Sequence, residues 1–196
     1  MNVLEIATKL HTDADEIVYG RGLDALLRAY GRVWYTGSYA TNLMVWPDID
    51  VHMVMEPDPR SLDRFFDMGR KIAHIDGITH LHFGNQIARP VAGFPKGYYW
   101  GIRVHVGSWK TPWKIDLWAT DTNDFVANKE WIERVCQALD EDTRRFIIEF
   151  KHSLLTSSGR TPMGSGYAVC EGVLFRGLRT DDVLRDYLRQ CNIEGI

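Results

Sequence analysis

At 196 residues, 45% hydrophobic and 12% aromatic, the chain has the length and composition to bury one well-packed core. A net charge of −3 supplies no basic excess, which disfavours nucleic acid as a partner, although Lys and Arg can still cluster locally. Cys136, Cys170 and Cys191 are far apart and form no CxxC pair, which argues against a disulfide framework or zinc knuckle and for reduced thiols in a cytoplasmic protein. The first residues lack a basic stretch followed by an apolar run, so no signal peptide is expected, and no segment approaches the ~18 apolar residues of a membrane span.

Apolar residues recur at helical spacing over 17–30. Gly20 and Gly22 interrupt the front, so the firm helix is expected from about 21, with Gly31 as its stop. Val33-Trp34-Tyr35-Thr36 reads as a short buried strand ending at Gly37-Ser38, and 39–45 as a short helix closed by Pro47. Residues 48–55 alternate: Asp48, Asp50, His52 and Val54 face one way, and Ile49, Val51, Met53 and Met55 the other. Pro57-Asp58-Pro59 ends that strand, and Ser61 is placed to cap a helix over 62–75. Strands are expected over 81–88, 98–106 and 113–119. From residue 128 the pattern turns helical, with helices expected over 129–139, 142–155, 165–175 and 181–191, the last capped by Thr180. The expected fold class is thus α/β (α+β), a mixed β-sheet core flanked by helices over 1–125. A helical C-terminal subdomain over 126–196 is expected to pack on it, being too short to build a core alone.

Asp48 and Asp50 stand two apart on a strand, so both carboxylates leave the same face, with Cα atoms ~6.5–7 Å apart. Like charges so close need something positive between them. Asp116 is an isolated acid in the apolar strand Lys114-Ile115-Asp116-Leu117-Trp118, where a charge also needs a partner, either a cation or a salt bridge to Lys114 or an arginine. Three converging carboxylates suit hard divalent cations. Gly37-Ser38, at a strand-to-helix turn, offers close backbone approach, a hydroxyl, and the amides opening the next helix for a phosphate. A phosphate cradle beside a carboxylate cluster is a physical recipe for phosphoryl or nucleotidyl transfer. The bland readings are a hydrogen-bonded core histidine for His52, a core tyrosine for Tyr167, core packing for the tryptophans at 100, 109, 113 and 118, and a solvated helix face for Arg144, Arg145 and Lys151. His80 and His82 share a strand face, but without further ligands they make no case for zinc.

The pattern resembles the DNA polymerase beta-type nucleotidyltransferase superfamily. Gly37-Ser38 is followed by nine residues, then Asp48-Ile49-Asp50-Val51, then the later acid in Ile115-Asp116-Leu117; Thr36 stands where that signature has an apolar residue. The helical tail is similar to the appended helices of small bacterial members, including antibiotic nucleotidyltransferases. The resemblance implies a nucleotidyltransferase core and transfer of a nucleoside monophosphate from a triphosphate to an acceptor hydroxyl, with pyrophosphate released. It implies two Mg2+ (or Mn2+) ions held by Asp48, Asp50 and Asp116. Ser38 and the amides near Gly37 would hold phosphates, helped by a basic residue of the tail, here Lys151. The acidic balance and modest size favour a small-molecule acceptor over a long nucleic acid, and a homodimer is suggested by analogy. The alternative is a non-catalytic nucleotide-binding module of the same fold, in a regulatory or antitoxin-like role, against which the complete acid triad speaks.

Overall fold

In a computed structural model, which describes residues 1–55 and 58–196, a five-stranded mixed sheet carries helices against its faces. Pro57, the first residue of the expected strand-ending Pro57-Asp58-Pro59, lies outside the described residues. The strands are β1 (Arg32–Thr36), β2 (Asp48–Val54), β3 (Ile78–Asn85), β4 (Gly97–Val104) and β5 (Trp113–Thr120), in the spatial order β1-β2-β5-β4-β3. β2 and β5 run parallel, and the other neighbours run antiparallel. The chain must therefore leave β2, build the β3–β4 hairpin outside, and return to pair β5 against β2.

The apolar parity of the strands selects the core face. Ile49, Val51 and Met53 of β2, Ile115 and Leu117 of β5, and Trp100, Ile102 and Val104 of β4 are buried in one cluster. Helices α1 (Val3–Asp15), α2 (Leu23–Arg28) and α4 (Ser61–Ile72) supply its other side, through residues such as Leu10, Leu27, Phe65 and Met68. A capping box between Asn2 and Glu5 starts α1, a helix ahead of the stretch the periodicity singles out. A π-type turn, Glu16–Gly20, links it to α2, so the helix expected from about residue 21 is the short last piece of a longer helical run.

Three local expectations are corrected. The helix expected over 39–45 is a four-residue turn of helix, α3 (Gly37–Ala40); Asn42 then takes φ +55° and turns the chain, and Leu43, Met44 and Val45 go to the core. Ser61 does not cap α4: it is the first helical residue, and its hydroxyl donates to Asp58 O. Thr180 sits at the N-cap of the last helix but its side chain makes no capping bond.

After β5, Asp121 accepts from the amides of Asn123 and Asp124 and so launches α5 (Thr122–Ala138) at once, earlier than its apolar pattern suggests. The helices α6 (Glu141–Ser153), α7 (Ser165–Cys170) and α8 (Asp181–Gln190) follow. Ile147, Ile148, Phe150, Val169, Leu184 and Leu188 form a second buried cluster, which also takes in Ala7 of α1 and Leu43 and Val45 after α3. That shared packing holds α6 against the Gly37-Ser38 turn. Among the described residues no helix is long and apolar enough to cross a membrane.

Candidate active site

Strand register arranges the sheet face opposite the core in rows. Thr36, Asp50, Asp116, Gly101 and His82 lie side by side across β1, β2, β5, β4 and β3. On one side of that row stand Asp48, Lys114, Arg103 and His80, and on the other Trp34, His52, Trp118, Tyr99 and Gly84. Each of Asp48, Asp50 and Asp116 offers an oxygen within 4.8 Å of the others, the one group of potential metal ligands of this kind among the described residues. Three carboxylates are hard oxygen donors, and their number and closeness fit Mg2+ or Mn2+.

The electrostatics of the cluster follow from this crowding. Burial, then the neighbouring acids, pushes the Asp48 and Asp50 carboxyls well above the usual carboxylate range. Lys114 answers that charge from the next strand: Nζ lies 3.3 Å from Asp48 Oδ1 and hydrogen-bonds Asp116 Oδ2. Burial lowers the Lys114 pKa, but Asp48 and Asp116 outweigh it, and the net shift is upward. The salt bridge considered for Asp116 thus exists, within the carboxylate cluster rather than instead of it. Tyr99 also donates to Asp116 Oδ1, at 2.8 Å. Gly101 makes this bond feasible: a Cβ there would sit 2.6 Å from the Tyr99 hydroxyl.

Gly37 has φ +61°, and a Cβ on it would fall 2.2 Å from Asp50 Oδ2, so only glycine lets this turn close over the carboxylate. Next to it, Ser38 Oγ accepts from Lys151 Nζ at 2.6 Å; the same Nζ donates to Leu43 O at 2.7 Å. Lys151 is 2% exposed, and burial lowers its pKa. The solvated-face reading therefore fails for Lys151. Arg144 instead bonds Asn42 Oδ1 at 3.1 Å, and Arg145 is exposed. Because α3 has four residues, its dipole is short, and an anion placed here would meet local amides, Ser38 and Lys151 rather than a long helix terminus.

These groups line a cleft of about 640 Å3 between the sheet and the helical tail. Tyr167, expected in the core, is 58% exposed and stacks on Trp131 with ring centroids 4.2 Å apart. Trp100 and Trp113 pack in the core as expected, whereas Trp118 has the parity of Asp116, faces the cleft and stacks on Phe94 at 5.9 Å. His52 is buried, with its pKa lowered to about 4 by desolvation, and its Nδ1 has no hydrogen-bond partner among the described residues. It is not the hydrogen-bonded core histidine expected. Tyr99, Phe94 and Trp131 escaped the sequence reading. Strand parity points to Trp118 and Lys114, but nothing local signals the other three.

No protein-family model matches the chain, and no curated protein matches it. Among solved structures, Cid1, an RNA terminal uridylyl transferase, aligns over 90% of this chain and 52% of its own with 12% identity and a TM-score of 0.51. GLD-2, from its complex with RNP-8, aligns over 94% of this chain and 64% of its own with 12% identity and a TM-score of 0.50. GrpB from Enterococcus faecalis aligns over 88% of this chain and 89% of its own at 12% identity, with a TM-score of 0.44. The chain thus spans about half of Cid1 and under two thirds of GLD-2. The likeness is one of architecture, a mixed α/β fold shared with Cid1 and GLD-2.

Proposed function

We propose that this chain is a metal-dependent nucleotidyltransferase that moves a nucleoside monophosphate from a triphosphate to an acceptor hydroxyl. The observation that carries this reading is the convergence of Asp48, Asp50 and Asp116 within 4.8 Å, beside a Gly37-Ser38 turn closed over Asp50 and backed by Lys151. Asp48, Asp50 and Asp116 would hold two Mg2+ or Mn2+ ions, which supply polarisation of the acceptor hydroxyl and neutralisation of triphosphate charge. Ser38 and Lys151 bind and orient the terminal phosphates. Lys151 suits this because its ammonium is buried with only two neutral acceptors, so an anion gains a strong partner. Asp116, held by Tyr99, orients the acceptor hydroxyl and takes its proton. A bond then forms from the acceptor oxygen to the α-phosphorus, and the bond to the β-phosphate bridge breaks, its electron pair leaving with pyrophosphate. The exposed Tyr167 on Trp131 offers an aromatic face for a nucleobase.

The cleft volume suits a triphosphate with a small acceptor better than a long polymer, and the net charge of −3 agrees. The RNA on which Cid1 acts makes an oligonucleotide the second acceptor to test. The experiment is release of pyrophosphate from each of the four triphosphates with Mg2+ or Mn2+, across hydroxyl acceptors, in wild type, Asp48→Asn and Asp116→Asn. Metal- and aspartate-dependent pyrophosphate is expected. Nucleotide binding without product from any acceptor would establish a regulatory module instead, and inorganic phosphate without pyrophosphate would establish a hydrolase.

A further inference from the structure

The sheet face continues beyond Asp116 over β4 and β3, and there it changes character. Register puts Arg103 and His80 in the row of Lys114, and His82 in the row of Asp116. His80 and His82 are exposed and Arg103 is half-buried. The aspartates end at β5: no acidic residue shares this face on β4 or β3. Arg103 has no carboxylate partner among the described residues; its Nη1 donates to Ile102 O, at 3.1 Å. The helical tail covers β1 and β2, while the packed helix of the hairpin, α4, lies on the opposite face, against Trp100. The face thus adjoins the cleft at Tyr99 and Asp116 and presents the guanidinium of Arg103 and two imidazoles where the cleft presents aspartates. Tyr99 lies low across it, its ring 4.7 Å from Trp118 and 6.4 Å from His82, because Gly101 leaves room beneath.

We infer that this face is the acceptor subsite, and that the acceptor carries a phosphate group seated on Arg103, His80 and His82 while its hydroxyl lies at Asp116. The inference rests on the nucleotidyltransferase reading above. Strands lie ~4.8 Å apart, so His82 is ~10 Å from Asp116 along the row. That separation fits a sugar or polyol with its phosphate at the far end, or one nucleotide step of a chain. A neutral acceptor would leave the guanidinium of Arg103 unmatched; a phosphate matches it in a bidentate way. The body of the acceptor rests on the Tyr99 and Trp118 rings. Ser38 and Lys151 serve the triphosphate on the other side of the aspartates, so the two anions bind on opposite flanks of the acid cluster.

The test uses the full chain. Ribose 5-phosphate, ribose and a short oligoadenylate are titrated calorimetrically against wild type, Arg103→Gln and His80→Gln, and each is then offered as acceptor with Mn2+ and the four triphosphates. Binding of ribose 5-phosphate or oligoadenylate is expected to weaken about 10-fold or more in Arg103→Gln, and less in His80→Gln, while triphosphate binding holds. His80 is exposed, so its variant folds even where the Arg103 substitution disturbs β4. Preference for the oligoadenylate would assign the phosphate to a nucleic-acid chain, and preference for ribose 5-phosphate to a small molecule. Ribose binding as well as its phosphate ester, no binding of either phosphate compound, or binding unchanged in both variants would overturn the inference. Arginine-dependent phosphate binding with no pyrophosphate from any acceptor would instead sink the nucleotidyltransferase reading and leave the cationic face standing.

Discussion

Replacing Gly37 by alanine separates the two roles of that glycine. Its φ of +61° is left-handed, and a side chain there costs about 1–2 kcal/mol of stability. For a chain of this size each kcal/mol lowers the melting temperature by about 2–4 °C. The second effect is local. The new methyl would start 2.2 Å from Asp50 Oδ2, and a retreat to 3.0 Å or more displaces that oxygen by at least 0.8 Å. Metal–oxygen distances tolerate only about 0.2 Å, so an Asp50 that holds a metal would leave its coordination shell, and Mn2+ affinity is expected to fall at least ~10-fold. Gly22→Ala is the control: Gly22 has φ +77°, and a methyl added there would meet no atom within 4 Å, so it carries the backbone cost alone. Melting curves and Mn2+ calorimetry on both variants decide the matter. Similar losses in melting temperature with metal affinity lost only in Gly37→Ala are expected. Wild-type Mn2+ affinity in Gly37→Ala would refute the placement of Asp50 among the metal ligands.

Four further outcomes are expected. Asp48→Asn removes one of three crowded buried acids, so the metal-free protein should melt no lower than wild type while the Mn2+-induced rise in melting temperature disappears; a retained rise would exclude Asp48 from the metal site. Folding raises the Asp48 and Asp50 pKa values, so the stability these groups favour is complete below the ordinary carboxylate pKa and is lost as pH climbs through their raised values. Metal competes with those protons, so the Mg2+-induced thermal shift should grow with pH across that window, and a shift independent of pH would count against the cluster. Lys151→Met removes a buried ammonium and should change stability little, yet weaken triphosphate binding about 10-fold or more, as fluorescence titration would report. Tyr99→Phe loses the bond to Asp116 and should lower kcat about 3- to 10-fold with the KM for triphosphate unchanged; a change confined to KM would move Tyr99 to the nucleotide side.

Strand parity made much of this arrangement readable. A period of two puts Asp48, Asp50 and His52 on one face of β2 and Ile49, Val51 and Met53 on the other; burial alternates with it from Asp48 to Val51, while His52 is buried as well. The same rule puts Lys114, Asp116 and Trp118 together on β5. Helix expectations failed where local chemistry competed with periodicity. Asn42 at positive φ ended the helix begun at Gly37, and the Asp121 cap started α5 before its apolar stripe begins. Tyr167 shows the limit of composition: an aromatic residue on a helix reads as core until its neighbours are known, and its neighbour is Trp131, stacked on it where both line the cleft.

By itself, then, the sequence determined which residues share a face and where the chain can turn tightly, because backbone geometry sets both over a few residues. Only tertiary structure decided that Asp50 and Asp116 are lateral neighbours, since that requires β5 to return beside β2 in parallel register. It decided that Lys151 meets Ser38, because the helical tail shares a buried cluster with α1 and the residues after α3. It also decided that Tyr99 reaches Asp116 over Gly101, and that Arg103, His80 and His82 extend the face beyond it. Those pairings are made by hydrogen-bond register and apolar burial between distant segments, and no local pattern encodes them.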